Sequence, residues 1–186
     1  RLAGENQPEE FMGFKDCIKI VSVGRLVKLK GYDMVVDAAK ILRECRINFQ
    51  WFIIGEGEER KALEKQIREK AVEKYVHLIG MRENPYPYIK NAKIMLVTSE
   101  WEGFGLVARE AFALKTPILL PDVGGMHELV LEYPKIKCET EEEYVCKANK
   151  ILNEDSEWIK FYEGVYNEQE NKDDLQSYLK SIDKIY

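Results

Sequence analysis

Apolar, β-branched segments alternate with amphipathic helical segments along most of the chain, and this alternation restricts the fold more than any other feature of the sequence. Five apolar runs are interpreted as strands, and a short sixth strand is predicted near the last of them. These runs lie at residues 17–24, 49–55, 75–80, 92–99, 116–122 and 133–138. Uninterrupted apolar runs are typical of strands that are buried on both faces of a parallel sheet. The sequence therefore predicts an α/β fold, a doubly wound parallel sheet of about six strands with right-handed crossovers.

Helical segments follow the predicted strands and have apolar residues three and four positions apart. The stretch "GYDMVVDAAKILREC" (31–45) has such a stripe, and Leu63, Ile67 and Ala71 mark the apolar face of a second helix. A third helix, over 106–114, is expected between the fourth and fifth strands. The remaining helical predictions are 141–152, 156–166 and 172–185.

The beginning of the chain differs in composition from the rest. The stretch "RLAGENQPEEFMGFKD" is polar, contains one proline and two glycines, and does not start with Met. Such a segment is typical of a linker or a cut site, so we interpret the chain as part of a longer protein. The expected organisation is a linker from a missing N-terminal domain over 1–16, a Rossmann-like domain over 17–155, and C-terminal helices over 156–186.

The composition narrows the class of partner. The chain has 186 residues, long enough for one good core and short for two full domains. Its formal net charge of -5 argues against nucleic-acid binding, which normally needs a basic face, and leaves a small-molecule ligand open. No run approaches the roughly 18 apolar residues of a membrane span, and the start lacks the layout of a signal peptide. We therefore expect neither secretion nor membrane insertion through signals in this sequence.

The cysteines and histidines bear on the compartment and on metal binding. Three of the four cysteines lie within or beside apolar segments, as buried free thiols do, and none has CxxC spacing. A reducing, cytoplasmic compartment is therefore expected. Only two histidines and no clustered cysteines are present, so a zinc site is not predicted, and without an Asp-x-Asp pair no metal is expected to hold a diphosphate. The cysteines are Cys17, Cys45, Cys138 and Cys146.

The stretch "SEWEGFGLVAREAFALKTPIL" (99–119) carries the strongest functional pattern. Gly103 and Gly105 should prevent a helix from running through, so a helix is expected to start near Leu106 with unpaired N–H groups, which is a ready anion site. Glu110 lies about one turn further on and can accept two hydrogen bonds from a vicinal diol such as a ribose. Glu102 could bind another sugar hydroxyl in the same way. The alternative is an acid that stabilises the helix dipole beside an ordinary surface glutamate.

Two cations, Arg25 and Lys30, flank the loop after the first strand. At the carboxyl end of a strand they can bind a diphosphate, the arginine as a fork and the lysine as a point charge. A solvated loop is the alternative explanation of the same spacing. The loop lacks GxGxxG, so the ordinary dinucleotide fingerprint is absent. After the second strand, Gly55 and Gly57 could bring the backbone close to a ligand or could serve only a tight turn.

The motif "GGMHE" (124–128) follows the fifth predicted strand. Its two glycines free the backbone before a helix and could offer further amides to a sugar. For His127 we expect a surface or packing role rather than a catalytic one.

Taken together and in this order, the motifs of residues 22–130 resemble the nucleotide-binding C-terminal half of retaining glycosyltransferases with the GT-B fold. This is the glycosyl transferases group 1 family, which includes mannosyl-, glucosyl- and N-acetylglucosaminyl-transferases. One such motif alone would be weak, whereas the set in register is specific. The matching stretches are "VGRLVKLKG", "IIGEGEERKALE", "VHLIGM" and "AKIMLVTSEWEGFGLVAREAFALKTPILLPDVGGMHELV".

The resemblance implies a donor substrate and a role for each matching residue. The donor would be a nucleotide-diphosphate sugar, with UDP or GDP, bound without a metal. Arg25 and Lys30 would bind the diphosphate and stabilise its departure, and with Glu102 they form the expected catalytic set. Glu110 would hold the ribose, Glu102 and the amides around Phe104 and Gly105 would contact the transferred sugar, and Met81 would line the base pocket. The full expected donor site is Gly24, Arg25, Lys30, Gly55, Gly80, Met81, Glu102, Gly103, Phe104, Gly105, Leu106 and Glu110.

The chain departs from the family pattern in two places. The family usually has a glycine-containing segment after the last motif, where this chain has "VLEYPKIKCETEEE". The N-terminal half, which supplies acceptor recognition, is missing. The resemblance therefore implies a hexosyltransferase of glycan, polysaccharide or glycolipid synthesis whose donor domain alone is inactive, and whose contact with a membrane surface, if any, is made by the absent half.

Two alternatives to a transferase stay open at the level of sequence. One is a GT-B-like epimerase that acts on the nucleotide sugar. The other is an α/β nucleotide-binding module without chemistry. Titration with UDP, GDP and ADP separates a protein that binds no nucleotide from both enzymes.

Overall fold

The computed structural model describes residues 7–170. The predicted helix over 172–185 lies outside this range. Within it, five parallel strands form one sheet in the order β3-β2-β1-β4-β5. This order confirms the predicted parallel α/β class. After β3 the chain crosses to the other side of β1 and adds β4 and β5 there, and this reversal of strand order is typical of doubly wound sheets. The strands are β1 Ile18–Val23, β2 Phe49–Ile54, β3 Val76–Gly80, β4 Ile94–Leu96 and β5 Ile118–Leu119.

The sheet is most regular at its centre. β1 pairs with β2 over six residues, from Ile18 with Phe49 to Val23 with Ile54, and with β4 at two positions. Every residue of β2 is buried, as expected for a strand that is covered on both faces.

Helices cover both faces of the sheet. Contacts of α2 with α3 and α7 define one layer, and contacts of α5 with α4 and α8 define the other. Each layer presents apolar stripes to the strands. The helices are α1 Glu9–Met12, α2 Tyr32–Glu44, α3 Arg60–Glu69, α4 Tyr86–Lys90, α5 Leu106–Ala113, α6 His127–Glu132, α7 Glu141–Leu152 and α8 Ser156–Glu170.

A buried hydrogen-bond chain crosses the centre of the sheet. The Nε1–H of Trp51 on β2 donates to Oγ of Ser22 on β1 at 3.1 Å, and that hydroxyl donates to the carbonyl of Leu96 on β4 at 2.6 Å. Both side chains are almost completely buried. The indole N–H of Trp51 and the hydroxyl of Ser22 thus both have hydrogen-bond partners, as buried polar groups require.

The predicted sixth strand is wrong. Pro134–Ile136 is a 3-10 helix, and only one isolated parallel bridge, between Leu120 and Lys137, extends the sheet there. Proline has no N–H to donate to a ladder and suits the first turn of a helix, which explains the difference.

The segment before β1 packs on the domain. The ring of Phe11 in α1 is completely buried, 4.6 Å from the ring of Phe52 and 5.6 Å from that of Tyr88 between centroids. Whether residues 1–16 also connect to a further domain stays a prediction. Within residues 7–170, no helix combines the length and apolar character needed to cross a membrane.

Candidate functional site

The ends of β1, β2 and β3 meet at the carboxyl edge of the sheet, where three predicted site glycines lie side by side. The N–H of Gly24 donates to the carbonyl of Ile54 at 3.0 Å, and that of Gly55 donates to the carbonyl of Gly80 at the same distance. A Cβ on Gly55 would stand 1.9 Å from the carbonyl oxygen of Gly24, so no larger residue fits without moving the backbone. The glycines thus bring three strand ends into direct backbone contact.

Lys30 and Glu102 form an ion pair across this edge. Lys30 ends the 3-10 turn Lys28–Lys30 after β1, and its ammonium contacts Oε1 of Glu102 in the loop after β4. The hydroxyl of Ser99 donates to the same oxygen at 2.8 Å. Side-chain exposure is 22% for Lys30 and 12% for Glu102, so water screens the pair less than an ordinary surface pair. Two predicted catalytic residues from distant loops are therefore in contact.

Backbone contacts fix the positions of these two loops. The hydroxyl of Thr98 donates to the carbonyl of Lys30, and the N–H of Glu100 donates to the carbonyl of Leu29, each at 2.9 Å. On the other side of the loop, the hydroxyl of Tyr32 donates to the carbonyl of Gly24 at 3.1 Å. Burial raises the pKa of Tyr32 well above its usual value, and the nearby negative charge of Glu102 raises it further. Tyr32 is thus a neutral donor at all ordinary pH values.

Arg25, the other predicted cation, is exposed in the loop after β1. Within residues 7–170 its side chain makes no hydrogen bond or ion pair. Its guanidinium is therefore available to an anion at the carboxyl edge, whereas the charge of Lys30 is already matched by Glu102.

The Gly-Phe-Gly segment leads into α5 as the sequence predicts. Gly105 is the N-cap residue and α5 starts at Leu106, with no side chain capping the first turn. The N–H groups of a first helical turn lack intrahelical partners, so they remain available to a ligand. Phe104 is 80% exposed beside them.

The 3-10 turn Gly124–Met126, here called the "GGM" turn, packs against the loop that precedes α5. The N–H of Gly125 donates to the carbonyl of Glu102 at 2.9 Å. Gly124 has φ +47°, and a Cβ there would lie 1.9 Å from the same carbonyl oxygen. The two glycines thus permit close packing of one loop on the other, and the amide of Gly125, which we expected to face a sugar, is used inside the protein.

Glu110 lies in α5, half-buried, and its Oε1 accepts a hydrogen bond from the hydroxyl of Tyr86 at 3.2 Å. Tyr86 is the first residue of α4, which follows the loop that carries Met81. Met81 itself is 75% exposed. α4 therefore links the loop that carries Met81, which is expected at the base, to Glu110, which is expected at the ribose.

The chain matches the family model described as "Glycosyl transferases group 1" over residues 5–174. It belongs to the glycosyl transferases group 1 family. Among curated relatives, an uncharacterised glycosyltransferase of Methanocaldococcus jannaschii is 30% identical over 109 residues, which are 59% of this chain and 27% of that protein. The chain thus spans under a third of that relative's length.

Solved structures show the same fold. The C-terminal domain of a glycosyl transferase group 1 family protein, LpcC of Francisella tularensis, has a TM-score of 0.71 and 23% identity, covering 88% of this chain and 91% of that one. Anabaena HepE in complex with UDP-glucose has a TM-score of 0.69 and 25% identity, covering 84% of this chain and 44% of that one. The present glycosyltransferase domain therefore corresponds to a C-terminal domain of the family.

Sequence reasoning missed the side chains that hold the predicted site residues of this glycosyltransferase domain. Ser99 had a local signal, because it lies three residues before Glu102 and follows a strand. Tyr86 had none, since it is 24 residues from Glu110 and only the tertiary structure brings them together. Tyr32 lies in a predicted helical segment, and nothing in the local sequence indicates its hydrogen bond to Gly24.

His127 of the glycosyltransferase domain contacts Asp122, with 2.7 Å between Nδ1 and Oδ1, and is largely exposed. This is the surface role that the sequence suggests. Within residues 7–170, no group of three or more His, Cys, Asp or Glu side chains is arranged to hold a metal ion.

The expectation that the cysteines near apolar runs are buried is only partly met in the glycosyltransferase domain. Cys138 is buried, Cys17 is partly buried, and Cys45 and Cys146 are exposed. Burial raises the pKa of the Cys138 thiol to about 12. Cys45 follows the last residue of α2, and Cys146 lies on a polar face of α7, so apolar neighbours in sequence did not imply burial.

Proposed function

We propose that the carboxyl edge of the sheet binds a nucleotide-diphosphate sugar, and that the domain is the donor-binding half of a retaining glycosyltransferase of glycan, polysaccharide or glycolipid synthesis. The contact between Lys30 and Glu102, beside an exposed Arg25 and an uncapped helix start, is the observation that carries the proposal. Cations, backbone amides and a carboxylate that could accept hydrogen bonds from a sugar are thus contributed by neighbouring loops at this edge. The UDP-glucose complex of HepE, a protein of the same fold, supports the choice of ligand.

The diphosphate is the group that the cations suit. Arg25 can bind it as a fork, and Lys30 as a point charge. The N–H groups of Gly105 and Leu106 add the positive end of α5. These donors stabilise the negative charge that develops on the departing nucleotide diphosphate, which is the electrostatic part of catalysis.

Glu102 changes partner in this proposal. Without a donor, its carboxylate neutralises Lys30. When the diphosphate attracts the ammonium, the carboxylate is released toward the hydroxyls of the transferred sugar, while Ser99 keeps hold of one oxygen. Binding of diphosphate and recognition of the sugar are thereby linked through one ion pair.

The nucleoside would lie on the other side of the diphosphate. Glu110, oriented by Tyr86, is placed to accept hydrogen bonds from the ribose diol. Gly80 and Met81, at the end of β3, would bound the base. Gly24, Gly55 and Gly103 would allow the backbone to approach the donor closely.

Chemistry requires an acceptor, which the absent half of the protein would supply. The relatives are several times longer than the matching segment, consistent with a second domain. We expect the 186-residue chain to bind nucleotide diphosphates weakly and to transfer no sugar. A cytoplasmic location and donor binding without a metal remain predictions.

Calorimetric titration tests the proposal directly. UDP, GDP and ADP are titrated separately into the chain, with and without EDTA. Binding of at least one nucleotide, unchanged by EDTA, is expected. If none of them binds, the domain is not a donor site, and both the transferase and the epimerase are excluded.

Lys30→Ala, with a matched control, tests the role proposed for Lys30 in binding the diphosphate. Lys30→Ala removes a charge-assisted contact worth about 1.5–3 kcal/mol, so affinity for the nucleotide diphosphate should fall about tenfold or more. Lys28→Ala is the control, since Lys28 lies in the same turn but is exposed and pairs with Asp33 of α2 rather than with Glu102. Equal losses for both variants would mean that the loop acts only through its shape.

Glu102→Gln separates sugar from diphosphate recognition. Binding of UDP should not weaken, because the ammonium of Lys30 loses only a competing carboxylate, whereas binding of UDP-glucose should weaken. Glu100→Gln is the control, because Glu100 is an exposed acid in the same loop. A loss of UDP affinity equal to that of UDP-glucose would contradict the assigned role of Glu102.

A further inference from the structure

The segment before β1 contacts residues next to the part of the site proposed for the nucleoside. Glu10 in α1 forms an ion pair with Arg82, and its Oε2 accepts a hydrogen bond from the hydroxyl of Tyr88 at 2.7 Å. Nε of Arg82 donates to that same hydroxyl at 3.0 Å. The three side chains therefore form a closed triangle, which we call the Glu10 cluster.

The carboxylate of the Glu10 cluster is charged at neutral pH. Burial acts to raise the pKa of Glu10, but the hydrogen bonds from Arg82 and Tyr88 outweigh it and lower that pKa overall. The same contacts with Glu10 and Tyr88 raise the pKa of Arg82. The charges of both partners are thus stabilised by their mutual geometry.

The other two members of the Glu10 cluster adjoin the proposed nucleoside subsite without being part of it. Arg82 is adjacent to Met81 in the loop after β3. Tyr88 lies in α4, whose first residue, Tyr86, donates to Glu110. A displacement of α4 would therefore move both the base-proximal loop and the partner of the ribose carboxylate.

The N-terminal segment is held on the domain mainly by Phe11, and the Glu10 cluster adds little to this attachment. Phe11 is completely buried against Phe52 and Tyr88, and burial of such a side chain stabilises by about 1.5–3 kcal/mol. A pair about one-third exposed, as Glu10 and Arg82 are, contributes on the order of 1 kcal/mol or less. Phe11 therefore supplies most of the attachment. The contacts of Glu10 instead fix the orientation of the Arg82 and Tyr88 side chains.

We propose that Glu10 is a positioning residue for the nucleoside subsite, acting through Arg82 on the loop that carries Met81 and through Tyr88 on α4. This inference rests on the proposed donor-binding function. It makes the segment that leads into the domain a determinant of nucleotide recognition, although Glu10 itself does not contact the nucleotide.

The test uses Glu10→Gln and Tyr88→Phe in the 186-residue chain. Glu10→Gln keeps the shape of the side chain and removes its charge, and Tyr88→Phe removes the shared hydroxyl. Glu9→Gln is the matched control, because Glu9 is the exposed neighbouring acid. Two measurements are made on each variant: hydrogen exchange of the peptide over 80–88, and affinity for UDP and for inorganic pyrophosphate by calorimetric competition.

The expected result is faster exchange over 80–88 in both test variants and a fall in UDP affinity of about three- to tenfold, with pyrophosphate affinity unchanged. Glu9→Gln should match the unmodified chain in each measurement. A uniform loss for UDP and pyrophosphate would show general destabilisation and would overturn the inference.

Failure of the inference and failure of the proposed function give different results. If the unmodified chain binds UDP, and Glu10→Gln equals Glu9→Gln in exchange and affinity, Glu10 has no positioning role while the donor site stands. If the unmodified chain does not bind UDP, GDP or ADP, the donor site and this inference are both wrong.

Discussion

Gly124→Ala should destabilise the domain and disturb the site together. The new Cβ would stand 1.9 Å from the carbonyl oxygen of Glu102, and a contact under 3.0 Å forces atoms to move. The obstructing atom is backbone, so the "GGM" turn and the loop after β4 must separate. This separation breaks the hydrogen bond from Gly125 to Glu102.

Two contributions determine how much Gly124→Ala lowers the free energy of unfolding. A non-glycine residue in the left-handed region, here with φ +47°, costs about 1–2 kcal/mol. Loss of one backbone hydrogen bond adds about 0.5–1.5 kcal/mol. We therefore expect Gly124→Ala to lower the free energy of unfolding by about 1.5–3.5 kcal/mol.

Gly164→Ala is a control with the opposite expected sign. Gly164 lies in α8, and nothing stands within 4 Å of a Cβ built there. Alanine in an exposed helix interior is favoured over glycine by about 0.5–1 kcal/mol. The same chemical change is thus predicted to stabilise one site and destabilise the other.

Urea unfolding, followed by circular dichroism, measures both variants against the unmodified chain. Because Glu102 moves with the loop, Gly124→Ala should also weaken UDP-glucose more than UDP. If Gly124→Ala is as stable as Gly164→Ala, the close approach of the two loops is not a feature of the protein in solution, and the account of how Glu102 is held is wrong.

Three further predictions concern other parts of the domain. In the native state, a chromogenic thiol reagent should modify Cys45 and Cys146 rapidly and the other two thiols slowly; equal rates for all four would contradict the described burial. Ser22→Ala leaves the buried N–H of Trp51 without its partner, so the free energy of unfolding should fall by about 1–3 kcal/mol in urea titrations; an unchanged midpoint would refute this. The folded-state pKa of Glu10 is lowered, so its stabilisation is present above the ordinary value of 4.5 and is lost as the pH falls through the folded-state value. The difference in melting temperature between the unmodified chain and Glu10→Gln should accordingly shrink in acid, and a constant difference would count against the ion pair.

The sequence was informative wherever local pattern determines structure. The apolar run 92–99 predicts burial correctly from Ile94 to Ser99, yet only Ile94–Leu96 is strand, because its ladders with β1 and with β5 each span two positions. The prediction that Ala71 lies on the face of the second helix is wrong. α3 ends at Glu69, Ala71 has φ +53°, and Val72 is buried instead.

The candidate site was predictable only in part, for a related reason. The helix start at Leu106 and the place of Glu110 one turn later depend on local spacing, which a sequence displays. The ion pair of Lys30 with Glu102 depends on two loops 72 residues apart, and the contact of Tyr86 with Glu110 depends on how α4 and α5 meet. Such partners are set by packing, so the sequence shows the residues without showing their pairing.

The order of strands also has a consequence for how the chain folds. β1 lies at the centre, with β2 on one side and β4 on the other, and the bond from Ser22 to Leu96 spans 74 residues. Contacts between distant parts of a chain form slowly, because closing a long loop costs entropy before the contact stabilises it. The β1–β2 pair should therefore form first, leaving the second edge of β1 open to pairing with other chains until β4 arrives. Lys30 and Glu102 lie on opposite sides of this late-forming junction, so the proposed donor site is completed only when the two halves of the sheet join.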